Sequence, residues 1–233
     1  MKQFKIFTIF TFVLSAFVLT SCYKDDDKFS SPDEFIENPS VSSAIRESGV
    51  PVYQGGAPPE LAGTYSVSGS YTDASYEMED IIGERIQSVF VLSKQTKSGK
   101  IDVEERGYDG TKVSGSGSYI TGNNGHFTIY AESVQTGREA GLPNNVSLTV
   151  VLMMSGTKAS NGNLVDVEGI TIITKANNSE YKEAEGQWWL WEADFYLQAG
   201  VRSSSVLKST TNSDGQLLLQ KALKAIMETI EEK

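Results

Sequence analysis

The sequence predicts an all-β protein, an antiparallel up-and-down barrel of about eight strands with a C-terminal α-helix. Apolar residues alternate with polar residues along most runs between positions 61 and 199, which is the period of half-buried strands. Turn signals such as Asp109-Gly110 and Asn161-Gly162 separate these runs and favour hairpins. Long helical segments do not alternate with the runs, so a parallel α/β sheet is disfavoured.

Residues 1–21 have the features of a signal peptide. Lys2 and Lys5 precede an apolar run over residues 6–19, which is short for a membrane-spanning helix. We therefore expect this segment to be removed on export.

The four residues 19–22, Leu-Thr-Ser-Cys, resemble the lipobox of bacterial lipoproteins. The resemblance implies that Cys22 is acylated on sulfur and becomes the first residue of the mature chain. Cys22 is the only cysteine of the sequence, so no disulfide can use it. The alternative is an ordinary secretory signal with an incidental cysteine. An acyl anchor on Cys22 makes the membrane the first expected partner.

Residues 24–27, Lys-Asp-Asp-Asp, follow the cysteine and resemble the acidic export signal of Bacteroidota surface lipoproteins. This resemblance implies a lipid-anchored protein of the bacterial outer membrane that faces the cell exterior. The other interpretation is a solvated acidic spacer.

The chain is acidic, with a formal net charge of −10 and a pI near 4.7 over 233 residues. Such a surface repels phosphate backbones, so nucleic acid is excluded as an expected partner. It also provides no electrostatic attraction to anionic lipid, which leaves the acyl chains to hold the membrane.

Residues 22–57 are rich in Ser, Asp, Glu and Pro and are predicted to form a tether. A short helical turn is predicted over 33–37, and an extended lead-in from Pro51, because proline disfavours helix at the preceding residue. Two interpretations stay open. The segment is either a stalk that lifts the domain off the lipid, or a strand of chain packed along the barrel exterior.

Residues 58–202 contain the predicted barrel. The strands are expected over 64–71, 86–92, 100–106, 112–120, 126–134, 146–155, 164–174 and 188–199. Residues 203–233 are predicted to form a linker and the C-terminal helix, because apolar residues from Leu219 to Ile230 recur at helical spacing. This helix is expected to dock on the domain or on a partner.

The triplet Gly63-Thr64-Tyr65, with the meander and helix that follow it, resembles the lipocalin-type (calycin-type) barrel. The whole layout is similar to lipocalin-like surface lipoproteins of Bacteroidota. Tyr65 stands where lipocalins usually have Trp. The resemblance implies a cup that binds small apolar molecules.

Our first functional hypothesis is a surface lipoprotein whose barrel binds a small apolar ligand. The cup would be lined by five aromatic residues. Three share one face of the last strand and two lie on other strands: Trp189, Trp191 and Phe195, with Phe90 and Phe127. The alternative for these side chains is ordinary core packing, because a barrel of about eight strands can be filled by its own residues.

A second hypothesis is a glycan-binding module. It would use Trp188 and Tyr196 for stacking, with Glu192 and Asp194 on the same face of the strand. The alternative is an aromatic patch covered by the C-terminal helix. A third hypothesis is a structural or adhesion subunit that docks through that helix to an unidentified partner.

Catalysis is the least favoured hypothesis. The chain has one histidine, His126, and no Gly-x-Ser-x-Gly motif. Carboxylates recur two residues apart and could serve glycoside hydrolysis or hold a calcium ion. The wet outer face of strands explains two of the pairs better, Asp102 with Glu104 and Asp166 with Glu168. Glu192 and Asp194 are the exception, because Trp188, Leu190 and Tyr196 share their face. We therefore expect no catalytic residues, no cofactor and no metal.

Overall fold

The computed structural model describes residues 29–75, 81–107, 112–136 and 145–198. Within them, eight antiparallel strands pair in sequence order and close into a barrel, which confirms the predicted fold class. Cys22, the signal peptide and the predicted C-terminal helix lie outside the described residues. The strands are β1 Gly63–Ala74, β2 Arg85–Ser93, β3 Lys100–Gly107, β4 Lys112–Asn123, β5 His126–Thr136, β6 Ser147–Lys158, β7 Leu164–Ala176 and β8 Trp188–Leu197.

The barrel closes through the pairing of its first and last strands. This register runs from Tyr65 opposite Leu197 to Ala74 opposite Trp189, with an irregularity near Tyr71. Closure leaves neither strand as an exposed edge, which is the stable solution for a sheet of this size. Further register shifts in β3–β4, β6–β7 and β7–β8 sharpen the coiling of the sheet.

The two ends of the barrel differ in their connections. One end carries tight connections, including the turn at Asn124-Gly125, where both residues have positive φ. The other end, which we call the long-loop end, carries the connections β1–β2, β3–β4, β5–β6 and β7–β8. The last of these contains a 3₁₀ helix, Ser179–Ala184.

Two apolar clusters lie on the inner face of the sheet. The first runs through the barrel from Leu61 and Tyr65 to Trp191 and Ala193. The second joins Ile81 and Leu148 with Tyr181 of the 3₁₀ helix. The partly buried side chains of Tyr71 and Trp189 pack against both clusters and so connect them.

Two short helices precede the barrel, α1 (Pro32–Glu37) and α2 (Pro39–Ser48). Each begins with proline at its first position, where the missing N–H costs nothing, and follows a capping residue. The Ser31 side chain accepts from the Glu34 N–H, and the Asn38 side chain accepts from the first turn of α2. Gly49, with φ of 73°, ends α2 in the left-handed conformation.

These helices pack on the outer wall of the barrel. Phe35 of α1 and Val41 and Ala44 of α2 are buried against outward side chains of the sheet, including Tyr130 and Trp188. The apolar contacts explain why two helices too short to be stable alone persist here.

The extended chain after α2 continues along the wall. The Tyr53 N–H donates to the Thr128 hydroxyl across 2.7 Å, and the Thr121 hydroxyl donates to the Tyr53 carbonyl across 2.7 Å. The Gly122 N–H then donates to the Gly55 carbonyl across 3.0 Å. Of the two arrangements considered for residues 22–57, the described part, 29–57, therefore follows the second and packs on the barrel exterior.

No helix in the described ranges combines the length and the apolar character that crossing a membrane requires.

Candidate functional site

The barrel interior contains a cluster of aromatic rings centred on Phe195. Its ring centroid lies 5.2 Å from that of Phe90 and 6.2 Å from that of Tyr65, both in edge-on geometry. Trp191 stacks on it at 6.3 Å. These distances are those of favourable aromatic pairs. The alternation of β8 brings Trp191 and Phe195 to the same face, as the sequence predicts.

The two remaining residues of the predicted lining also face inward. Phe127 is fully buried in the first cluster, and Trp189 is partly exposed where the two clusters meet. The structure therefore places all five predicted lining residues inside one barrel. Four of them are buried, and Trp189 lies towards the long-loop end.

Gly169 of β7 makes room for the Trp191 ring. A Cβ atom at this position would lie 2.0 Å from the indole, so any other residue would displace the ring. The glycine therefore sets how closely the aromatic cluster packs against β7.

The interior also contains polar groups that sequence reasoning missed. Ser88 and Ser118 are 2% and 3% exposed, and neither hydroxyl has a hydrogen-bond partner. Ser88 pairs with Val67 and Ser118 pairs with Ile101, which places both hydroxyls on the apolar inner face. Buried hydroxyls without partners are uncommon, because each loses its hydration.

Glu105 and Tyr71 add a second polar feature to the interior. Glu105 lies opposite Phe90 in the β2–β3 register and alternates with Val103, so it is on the inner face of β3. Burial raises the pKa of the Tyr71 phenol, and the negative charge of Glu105 raises it further. The alternation Ile101, Val103, Glu105 was the signal in the sequence that places this carboxylate inside.

A group of hydrogen bonds lies at the end of the barrel opposite the long loops. The Tyr65 hydroxyl donates to the Leu61 carbonyl across 2.9 Å. The Leu61 N–H donates to the Gln95 side chain, which in turn donates to the Pro59 carbonyl. Burial raises the pKa of Tyr65 to about 12, because its ionised form would lie in this apolar end.

The residues of the glycan hypothesis do not form one exposed platform. Trp188 is buried beneath α2, and its indole N–H donates to Glu47 across 3.3 Å. Tyr196 is 50% exposed and donates to Asp194 across 3.1 Å, and Glu192 is exposed on the same outer face. The cover of the Trp188 patch is therefore α2, an element on the N-terminal side of the barrel.

The paired carboxylates lie on the outer face of the sheet. Asp102 is bridged to Lys94 across 2.8 Å, and Glu104 is bridged to Arg106. Glu168 faces Glu192 across the β7–β8 pair. Burial, and then the charges of Glu192 and Asp166, raise the pKa of Glu168.

His126 belongs to the wall and lies outside the interior. Its ring stacks on Tyr53 at 4.7 Å, and its Nδ1 lies 2.9 Å from the Thr157 hydroxyl. Among the described residues, three or more His, Cys, Asp or Glu side chains do not come together in a way that could hold a metal ion.

The fold and the interior together define a closed eight-stranded antiparallel barrel with an aromatic lining and a few buried polar groups. Comparisons of the chain with protein-family models, curated proteins and solved structures found no match.

Proposed function

We propose that the protein is a lipid-anchored, lipocalin-like lipoprotein of the outer membrane surface whose barrel binds a small, largely apolar ligand. The observation that supports this most is the pair of partnerless hydroxyls, Ser88 and Ser118, within an aromatic interior. Small-molecule sites have this composition, with mainly apolar walls and a few polar groups that orient the ligand.

The up-and-down order of the strands supports the proposal at the level of architecture, since eight-stranded barrels of this kind can hold one small ligand.

The surface location rests on the sequence. The residues before Cys22 have the lipobox pattern, and the acidic residues after it resemble a surface export signal. An exposed, anchored barrel would sample apolar molecules outside the cell.

Two measurements test ligand binding in the full-length protein. Native mass spectrometry of protein purified from its own host should show a bound small molecule. The neutral fluorophore N-phenyl-1-naphthylamine should bind the protein after solvent extraction, with enhanced emission.

A matched pair of variants on β5 locates the site. Ala131→Phe adds a ring to the interior, where Ala131 is 4% exposed, and should abolish fluorophore binding. Val134→Phe adds the same ring outside, where Val134 is 38% exposed, and should leave binding unchanged. If Ala131→Phe does not fold, Ser88→Leu takes its place. A ligand-free mass together with a wild-type protein that does not bind the fluorophore would overturn the proposal.

A further inference from the structure

We infer that the ligand binds between the two apolar clusters of the barrel, and that it is an uncharged molecule whose hydroxyl or carbonyl group contacts Thr171. This inference rests on the proposed function and specifies the place and the chemical class of the ligand.

Five inward-facing side chains keep part of their surface accessible, and we call them the inner band. They belong to strands that follow one another around the closed barrel: Leu152 of β6, Thr171 of β7, Trp189 of β8, Tyr71 of β1 and Ile86 of β2. Leu152 lies opposite Thr171, and Thr171 lies opposite Trp189. Tyr71 is one same-face position from Gly69, which lies opposite Ile86. The inner band is therefore one continuous part of the wall.

The inner band borders space inside the barrel. Leu152 is partly exposed, although Val150 and Met154, its neighbours on the same face of β6, are buried. Val150 belongs to the second cluster and Met154 to the first, so the band lies between the two. An inward-facing side chain keeps accessible surface only where protein atoms do not fill the interior beside it. The space between the clusters is therefore where a ligand has room.

The hydroxyl of Thr171 is the polar group that this space offers to a ligand. The side chain lies between those of Leu152 and Trp189. Among the described residues, its hydroxyl has no hydrogen-bond partner. A hydroxyl can donate and accept, so it suits either a hydroxyl or a carbonyl group. A bond to the ligand would satisfy a polar group that lies among apolar side chains.

An uncharged ligand suits the inner band better than an ion does. The band contributes the neutral hydroxyls of Tyr71 and Thr171, and its other side chains are apolar or aromatic. The Glu105 carboxylate also faces the interior, but it already interacts with another part of the protein. An ionic head group placed here would lose its hydration without gaining an ionic partner, which costs more than the loss of a neutral hydrogen bond.

The test compares four probes that share one bicyclic ring, namely 2-naphthol, naphthalene, 2-naphthoate and 2-naphthylmethylamine. Each displaces N-phenyl-1-naphthylamine from the full chain at neutral pH. We expect 2-naphthol to act at a concentration about two- to tenfold below that of naphthalene, because it gains one neutral hydrogen bond. The anionic and the cationic probe should each need a concentration at least about tenfold above that of naphthalene.

Thr171→Val keeps the shape of the side chain and removes the hydroxyl. It should abolish the advantage of 2-naphthol over naphthalene while the fluorophore still binds. Thr64→Val makes the same change on the outer face of β1, opposite Val91, and should leave the advantage intact.

A second pair of variants tests the place. Ile86→Trp adds a large ring to the inner band and should weaken fluorophore binding at least about tenfold, because it occupies the ligand's space. Gln87→Trp adds the same ring to the next residue, which is exposed on the outer face, and should leave binding unchanged. If Ile86→Trp does not fold, Leu152→Phe takes its place.

The results separate the two proposals. Displacement by either ion at the concentration of naphthalene, or an unchanged advantage of 2-naphthol in Thr171→Val, would overturn this inference and leave the ligand-binding barrel standing. Wild-type fluorophore binding in Ile86→Trp would overturn it as well. Absence of fluorophore binding to the wild-type protein would overturn both.

Discussion

The indole N–H of Trp188 donates to the Glu47 carboxylate across 3.3 Å and joins the start of the last strand to the second N-terminal helix. The two residues are 141 positions apart in the sequence. Beneath this bond, the Trp188 ring packs with Val41 and Ala44 of α2. The N-terminal helices are therefore part of the folded domain.

Replacing Trp188 with Ala should destabilise the whole domain by about 3–5 kcal/mol, since a large buried ring is lost and a cavity remains. Urea denaturation measures the change. Trp188→Phe should cost less, because it keeps most of the apolar contact. Tyr196→Ala removes an exposed ring from the same strand and should change stability by roughly 0.5 kcal/mol or less. Equal effects of Trp188→Ala and Tyr196→Ala would show that α2 does not cover this patch.

Gly169→Ala should destabilise the barrel by about 1–3 kcal/mol, because the added methyl group would displace the Trp191 ring. Near-ultraviolet circular dichroism should change with it, since Trp191 stacks on Phe195. Gly56→Ala is the matched control, because a Cβ at Gly56 has no neighbour within 4 Å. If both variants have wild-type stability and spectra, Trp191 does not pack against β7.

Glu168→Gln should stabilise the protein at neutral pH and flatten its pH dependence. Burial, followed by the charges of Glu192 and Asp166, raises the pKa of Glu168. A carboxyl whose pKa is raised by folding supports the folded state below its ordinary pKa. That support is lost as the pH rises through the raised value. As the pH rises from the ordinary pKa of a glutamate through the raised pKa of Glu168, the wild-type protein should therefore lose stability. The Glu168→Gln variant should not show this loss.

Urea midpoints between about pH 4 and about pH 8 measure the difference, since this window brackets the titration of glutamate. Glu183→Gln removes the same charge from an exposed position on the 3₁₀ helix and should leave the slope unchanged. Parallel curves for the wild-type protein and Glu168→Gln would contradict the prediction.

Cys22→Ser should release the protein from the outer membrane fraction and abolish labelling by radioactive palmitate, because the hydroxyl of serine does not take the place of the thiolate. Tyr23→Ala, which leaves the lipobox residues intact, should remain membrane-bound and labelled. Sedimentation of Cys22→Ser with the outer membrane would refute the acyl anchor.

The strands were predictable because their signals are local. In a strand such as β8, the alternation of apolar and polar residues determines which side chains face inward. Asn-Gly and Asp-Gly steps indicate where hairpins turn. The observed strands differ from the predicted ones by only a few residues at their ends. The barrel closes because these strands pair in sequence order and the last strand pairs with the first.

Helix α2 was missed because its stability is not local. Pro39–Ser48 has few apolar residues, and their burial depends on Trp188 and Leu190 at the other end of the chain. Sequence alone therefore left the Trp188 patch either exposed, as in the glycan hypothesis, or covered by the C-terminal helix. Asn38 before Pro39, with Val41, Ala44 and Ile45 at helical spacing, is the signal that could have found it.

The inward position of Glu105 was overlooked for a different reason. A carboxylate near the end of a strand is usually assigned to the wet face, and only strict counting from Ile101 and Val103 places it inside. The partnerless state of Ser88 could not be predicted from its residue type, because it depends on what surrounds the hydroxyl across the whole barrel.

The docked position of α1 limits how far the barrel can travel from its anchor. The ring of Phe29 stacks on Phe35 at 4.2 Å, so the chain is already attached to the wall at that point. From Cys22 to Phe29, whatever their conformation, the backbone reaches at most about 25 Å. If Cys22 carries lipid, the point where α1 meets the barrel stays within about 25 Å of the acylated residue.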